Sequence, residues 1–223
     1  MHQRKGKKIF IYLFLLLIVG SINNTALTKI EFKNIKNIEI SGLSENENIN
    51  LLKDIKDLNL ENIFFIDRNK ISKIINSNSL VESYEIFLKY PHTVDIKIKK
   101  TIFLAKININ GKIFLIGSNG KLIDIISLDK EVPFIFGKPQ INEFIQLLNI
   151  IEKSKFSFNE IKNLYFFPSR RWDLEFKNNI ILKLSKDNTQ LSLDQAFEII
   201  NDKNFKNIKV VDARIKNQII LND

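Results

Sequence analysis

The chain has no cysteine, one methionine, one tryptophan and two histidines among its 223 residues. Without cysteine, disulfides, thiolate metal sites and cysteine nucleophiles are excluded. His2 falls in the expected N-terminal tail and His92 in a turn, so no histidine pair to bind metal or shuttle protons is expected. Proline and glycine are scarce as well, at four and seven residues, and the glycines are scattered at turn-like positions. No GxGxxG, P-loop, HExxH or GxSxG spacing occurs, so the nucleotide and hydrolase signatures are missing. Arginine is rare, and lysine carries most of the formal charge of +9. Lysine, asparagine, isoleucine and phenylalanine rise together in A+T-rich coding, so part of that charge carries no function. Arg4, Lys5, Lys7 and Lys8 supply four of the nine charges. No basic block interleaved with aromatics occurs after them, which argues against nucleic acid as a partner. Asp and Glu are dispersed, and Asp173 and Glu175 alternate with apolar neighbours in the manner of a solvated strand face. The expectation is a protein that is not an enzyme, with no cofactor, no metal and no small-molecule substrate.

What is present begins with IFIYLFLLLIVGSI, residues 9–22, an apolar run directly behind the basic cluster. Fourteen helical residues cover ~21 Å, against ~30 Å of hydrocarbon. Uncharged residues 23–27 extend the span, predicting a transmembrane signal anchor over 9–27 with residues 1–8 as a cytoplasmic tail. A cleaved signal peptide is the competing reading, and Asn23-Asn24-Thr25-Ala26-Leu27 is a poor cleavage site.

Residues 80–105, LVESYEIFLKYPHTVDIKIKKTIFLA, are the organising stretch of the chain beyond the anchor. Tyr84, Ile86 and Leu88 alternate with Glu85 and Phe87, and Val94, Ile96 and Ile98 alternate with Asp95, Lys97 and Lys99. Two strands around Tyr90-Pro91-His92-Thr93 make a hairpin with one face to bury. The cover lies upstream. IKNIEI is a short strand, Asn46 or Glu47 is placed to cap a helix bearing Ile49, Leu52 and Ile55, and Asp67 to cap another bearing Ile71, Ile74 and Ile75. The order is strand, helix, helix, strand, strand.

Beyond Phe103 the chain reads as a mostly antiparallel β domain with a few flanking helices. Asn110-Gly111 and Asn119-Gly120 are hairpin signals. Pro133 and Pro139 mark their segment as too interrupted for a central strand. Helices are expected over 141–153 and, capped near Asp187 to Thr189, along Leu193, Ala196, Phe197 and Ile200. Strands are expected over 158–167, through Trp172, Leu174 and Phe176, through Ile180, Leu182 and Leu184, and over 208–214 and 218–221. The last is short, so it should form a sheet edge able to accept a strand from another protein.

IKNIEISG, LENIFFID and YPHTVDIKI resemble a POTRA domain. With VPFIFGK at 132–138, RRWDLEFKNNIILKL at 170–184 and VVDARI at 210–215, the ordered set resembles the FtsQ/DivIB family of bacterial cell-division proteins along nearly the whole chain. Lys99-Lys100-Thr101-Ile102 and Gly117 depart from the family's usual phrases. The resemblance implies an α+β fold: a transmembrane helix, a POTRA domain (β-α-α-β-β) over 35–103 and an FtsQ-type β domain over 104–223. It implies an inner-membrane, septal scaffold with a periplasmic ectodomain, binding FtsB and FtsL. On matching positions it implies partner contacts at Arg170, Arg171, Arg214, Ile215, Gln218, Ile219 and Ile220. Arginine suits such contacts because its fork binds carboxylates in a bidentate way. A POTRA-bearing component of protein translocation or outer-membrane assembly is the alternative, and a secreted hydrolase fails for want of a catalytic constellation.

Overall fold

The computed structural model describes residues 3–22, 35–60, 62–124, 131–202 and 208–222. Helix α1 runs Gln3–Ile22. Its apolar side chains from Ile9 to Leu17 stand exposed. Among the described residues, no helix is long and apolar enough to cross a membrane. The expected span over 9–27 is therefore not reproduced. The helix starts inside the basic cluster, so its first turns are charged and only residues 9–22 are free of charge. Residues 23–27 lie outside the described residues.

The chain divides into two compact units, Met1–Asn78 with Ser83–Lys99, and Ser79–Glu82 with Lys100–Asp223. In the first, β1 (Asn37–Ser41), β2 (Val81–Lys89) and β3 (Thr93–Lys100) form a sheet in the order β1-β3-β2, with β1 parallel to β3. Helices α2 (Glu45–Lys56) and α3 (Arg68–Ser77) supply buried Leu51, Ile55, Ile71 and Ile75. Val94, Ile96 and Ile98 of β3 are buried with them. Each such side chain contributes about 1.5–3 kcal/mol on leaving water. Helix α2 is capped by Ser44, with Glu47 completing the capping box, so the cap lies two residues before Asn46. Glu47 acts from the third helical position, accepting the Ser44 amide at 3.0 Å. Asp67 caps α3 as its position suggests, accepting from the amides of Asn69 and Lys70.

The second unit is built on one nine-stranded sheet, ordered β12-β11-β10-β9-β8-β7-β4-β5-β6. Its strands are β4 (Phe103–Ile109), β5 (Lys112–Gly117), β6 (Leu122–Ile123), β7 (Phe134–Phe136), β8 (Ile161–Phe166), β9 (Trp172–Phe176), β10 (Ile181–Leu184), β11 (Val210–Ala213) and β12 (Ile220–Asn222). Hairpins supply the antiparallel pairs β4–β5, β5–β6, β8–β9, β9–β10 and β11–β12. The pairs β4–β7, β7–β8 and β10–β11 are parallel, so the sheet is more mixed than alternation alone suggests. Helix α4 (Ile141–Lys153) connects β7 to β8, and α5 (Thr189–Ile200) connects β10 to β11. Parallel neighbours require crossovers of this kind.

The segment between Pro133 and Pro139 corrects the expectation. β7 is a central strand, hydrogen-bonded on both sides. It fits because both prolines lie just outside it: Pro133 needs only its carbonyl, which accepts the Lys106 amide at 2.8 Å. Gly137, at φ +100°, turns the chain away so closely to Phe166 that a Cβ there would stand 2.2 Å from its carbonyl oxygen. Gly111 also has positive φ, +86°, but open space around it. Gly137→Ala should therefore cost on the order of 3 kcal/mol, against about 1–2 for Gly111→Ala, which meets backbone strain alone. Equal urea midpoints for the two variants would contradict the close approach.

Candidate partner interface

The sheet of the second unit has two unlike faces. On one, Leu164, Leu174, Phe176, Leu182, Leu184, Val211 and Ala213 are buried in the cluster that includes Phe144, Leu147 and Ile151 of α4 and Leu193 and Ala196 of α5. Buried Ser192, inside α5, donates to the Ala213 carbonyl at 2.8 Å and accepts the Ser185 amide at 3.2 Å. It thereby ties the ends of β10 and β11 to the helix.

The opposite face is read along the strand register. Phe136, Tyr165, Asp173, Lys183, Asp212 and Ile220 are successive partners across six strands, from β7 to β12. At the β7 end the row is aromatic: Phe136 stacks on Tyr165 with centroids 5.0 Å apart and meets Phe134 in a tilted contact at 4.8 Å. The Tyr165 hydroxyl donates to Glu175 at 2.6 Å, joined by Asn163 at 2.9 Å, and Lys162 pairs with the other carboxylate oxygen at 3.0 Å. These donors hold the Glu175 carboxyl below its ordinary range. Burial first, then the Glu175 carboxylate, push the Tyr165 phenol up to about 12.

Towards β12 the row is ionic. Asp173 is only 4% exposed, which corrects its reading as a solvated residue. Burial pushes its carboxyl up, opposed by Arg171, Lys183 and Arg214. Arg171 reaches Asp173 with Nε 3.0 Å from Oδ1 and lies over the Phe167 ring at 4.2 Å. Arg214 forks onto Asp212 at 2.8 and 2.5 Å and holds that carboxyl below its usual range.

The residues singled out from the sequence take different places around this face. Arg171 and Arg214 both act on the ionic row and are engaged within the chain. Arg170, at φ +62°, turns away to Glu143 of α4 at 3.5 Å. Ile215 and Gln218 are exposed in the loop between β11 and β12, and Ile220 stands on the open face. Ile219 packs instead against the helix-side core. β12 is the sheet's edge, bonded to β11 alone. Because the Asn222 carbonyl accepts from the Lys209 amide at 3.0 Å, alternation turns the peptide groups of Leu221 outward. Sequence reading missed Asp173, Lys183, Asp212, Glu175 and Tyr165. Opposite charges on neighbouring strands were the available signal, but only the register reveals that they meet.

The description "POTRA domain, FtsQ-type" matches residues 33–100, and "Cell division protein FtsQ/DivIB, C-terminal" matches residues 105–214. The chain belongs to the FtsQ/DivIB family of cell-division proteins. FtsQ of Rickettsia typhi is 25% identical over 86% of this chain and 73% of its own length. DivIB of Clostridium acetobutylicum is 28% identical over 79% and 77%. The solved major extracytoplasmic domain of DivIB from Geobacillus stearothermophilus aligns over 48% of this chain and 98% of its own, at 13% identity and a TM-score of 0.33.

Two outcomes are expected for this FtsQ/DivIB sheet. Arg171→Met should cost about 3 kcal/mol, because it strands a buried carboxylate, and Asp173→Asn on top should recover part of that loss. Denaturant unfolding of the single and double variants checks it, and a double variant as unstable as the single would show that packing on Phe167 matters more. The Tyr165 phenol should ionise only at about 12. Against an unfolded value near 10, the retained proton favours the folded state below pH 10, and that advantage is lost as pH rises to about 12. Ultraviolet titration should show the late phenolate step disappearing in Tyr165→Phe.

Proposed function

We propose that the chain is a non-enzymatic scaffold of the division machinery, held in the bacterial inner membrane by its N-terminal helix and acting at the septum. The POTRA domain occupies 35–103 and the β domain 104–223, both periplasmic, with residues 1–8 cytoplasmic. The β domain binds FtsB and FtsL, linking early division proteins to later ones by positioning alone. The exposed apolar side chains of α1 support the anchor. A span reaching through residue 27 matches the hydrocarbon thickness that 9–22 alone does not.

The observation that carries the partner reading is β12, a three-residue edge strand with one bonded neighbour. A strand from FtsB or FtsL added there gains main-chain hydrogen bonds, with Ile220 beside them on the open face and the arginine-bearing row next to it. Family membership favours this over a translocation component, for which no separate observation speaks.

The test is binding of the full chain, reconstituted in lipid, to the FtsB/FtsL complex. Ile220→Asp, which changes an exposed side chain and puts a carboxylate beside the edge, should weaken binding about tenfold (~1.4 kcal/mol) or more. Arg170→Ala, already committed to Glu143, should stay within about twofold of the parent. The reverse ranking moves the interface to the start of β9. An absence of binding by the parent chain removes FtsB/FtsL as the partner.

A further inference from the structure

The first unit carries an aromatic patch that the partner reading does not use. In the connector before α3, Ile63 is fully buried in a short 3-10 turn, Ile63–Phe65. With three residues per turn, one plugging the core sends the next two outward. Phe64 and Phe65 are accordingly 54% and 85% exposed. Tyr90, in the hairpin turn, is 57% exposed and stacks on Phe64 with centroids 5.2 Å apart. The patch is held in place from below. The Asn62 side chain accepts the Phe64 amide at 2.9 Å, and Asp67 caps the next helix. Adjoining aromatics this exposed mark an interaction surface more than a scattered apolar side chain does.

The route of the chain says what this surface meets. The His92 carbonyl, two residues from Tyr90, accepts the Lys36 and Asn37 amides at 2.9 and 3.3 Å. The patch therefore lies at the end of the unit where the chain arrives from α1. The chain leaves the unit at Lys99, at the far end of β3. Only the twelve residues 23–34 separate Ile22 of α1 from Ile35, so the two ends lie at most roughly 47 Å apart. Arg68 and Lys70 are exposed at the start of α3 and Lys89 directly precedes Tyr90; Lys70 lies 3.9 Å from Asp67, and Lys89 pairs with Asp95 at 2.8 Å and with Glu39 at 3.3 Å. Aromatic rings with cations alongside are the composition of protein surfaces seated at the lipid headgroup level.

We infer that Phe64, Phe65 and Tyr90 form a membrane-interface contact, seating this end of the first unit on the headgroup region of the bilayer that holds α1. The inference rests on the anchor proposed above. It gives the unit a second hold on the membrane beside α1.

The absence of native cysteine makes the test direct. Asn69→Cys, exposed one turn from the patch, and Leu13→Cys, within α1, each carry one environment-sensitive fluorophore on the full chain, reconstituted in vesicles containing anionic lipid. Spin-labelled lipids quench by proximity, with the nitroxide at the headgroup for the first probe and in the acyl chain for the second. Expected is quenching of the Leu13 probe and at least about twofold quenching of the Asn69 probe, the latter abolished by Phe64→Ser with Phe65→Ser. Both serines replace exposed rings, so an unchanged thermal melt accompanies the loss. A quenched Leu13 probe with an unquenched Asn69 probe overturns the patch contact and leaves the anchor standing. An unquenched Leu13 probe overturns both. Asn69 quenching that survives the double substitution assigns the proximity to the tether and overturns the role of the rings. Asn69 emission that varies with chain concentration, with no lipid quenching, identifies a second copy as the occupant and also overturns it.

Discussion

A carboxylate buried on a sheet needs its countercharge delivered by the neighbouring strands, and Asp173 sets that condition for the second unit. Its partners come from three places: Arg171 two residues away, Lys183 directly across on β10, and Arg214 beyond β11. Lys183 is also the register partner of Asp212, so one lysine stands between two acids, each with its own arginine. A one-residue slip of β9 would exchange the faces of Asp173 and Leu174. That would put an ionised group against α4 and α5 at a cost of several kcal/mol. The ionic row thus selects the alignment that the apolar face alone would specify less sharply. Arg171 and Arg214 each neutralise an acid of their own chain. A partner meeting this face finds a charge row whose geometry is fixed in advance, which lowers the ordering cost of binding.

The same register carries the aromatic end. Phe136, Tyr165 and Glu175 stabilise one another through stacking and a short hydrogen bond, and they lie on the consecutive sheet neighbours β7, β8 and β9. β7 has only three residues, yet it joins the β4–β5–β6 hairpins to the later strands. Its brevity is possible because flanking prolines and Gly137 handle the entry and exit. At the other end, Ser192 and the α5 crossover fix where β11 stops. That stop determines where the exposed loop before β12 begins. The position of the edge strand therefore depends on a hydroxyl buried in a helix some twenty residues earlier.

Legibility in the sequence tracked the range of the interaction. Local devices were readable: the Asn110-Gly111 turn, with φ of 53° and 86°, the Asp67 cap, and the alternation in β2, β3 and β9. Even here a neighbour could mislead. Ser44 wins the α2 cap over Asn46 because Glu47 is placed to complete its capping box. Non-local facts were not readable. Nothing in DLE distinguishes a solvated aspartate from one covered by arginine and lysine on adjoining strands. Two prolines around FIF look like a loop until the carbonyl of one is seen to serve the sheet. Ile219 and Ile220 are equivalent in composition, and only the pleat decides that the first packs inward and the second faces out. The strands that carry the candidate residues were thus legible, while the contacts among their side chains stayed hidden.

Under the strand-addition proposal, recognition at such an edge would be compatible with the 25–28% identity of this chain to its relatives. The groups a bound strand uses are peptide N–H and C=O, which almost any residue supplies. What must persist is a short unpaired strand, a register that presents it, and side chains that keep the adjacent face from collapsing or pairing wrongly. The ionic row meets the last two needs without contacting the added strand through a unique residue. Substitutions that keep charge opposite charge across β9, β10 and β11 leave the edge in place. A change in β12 itself matters only where it removes an outward N–H or places a charge beside it.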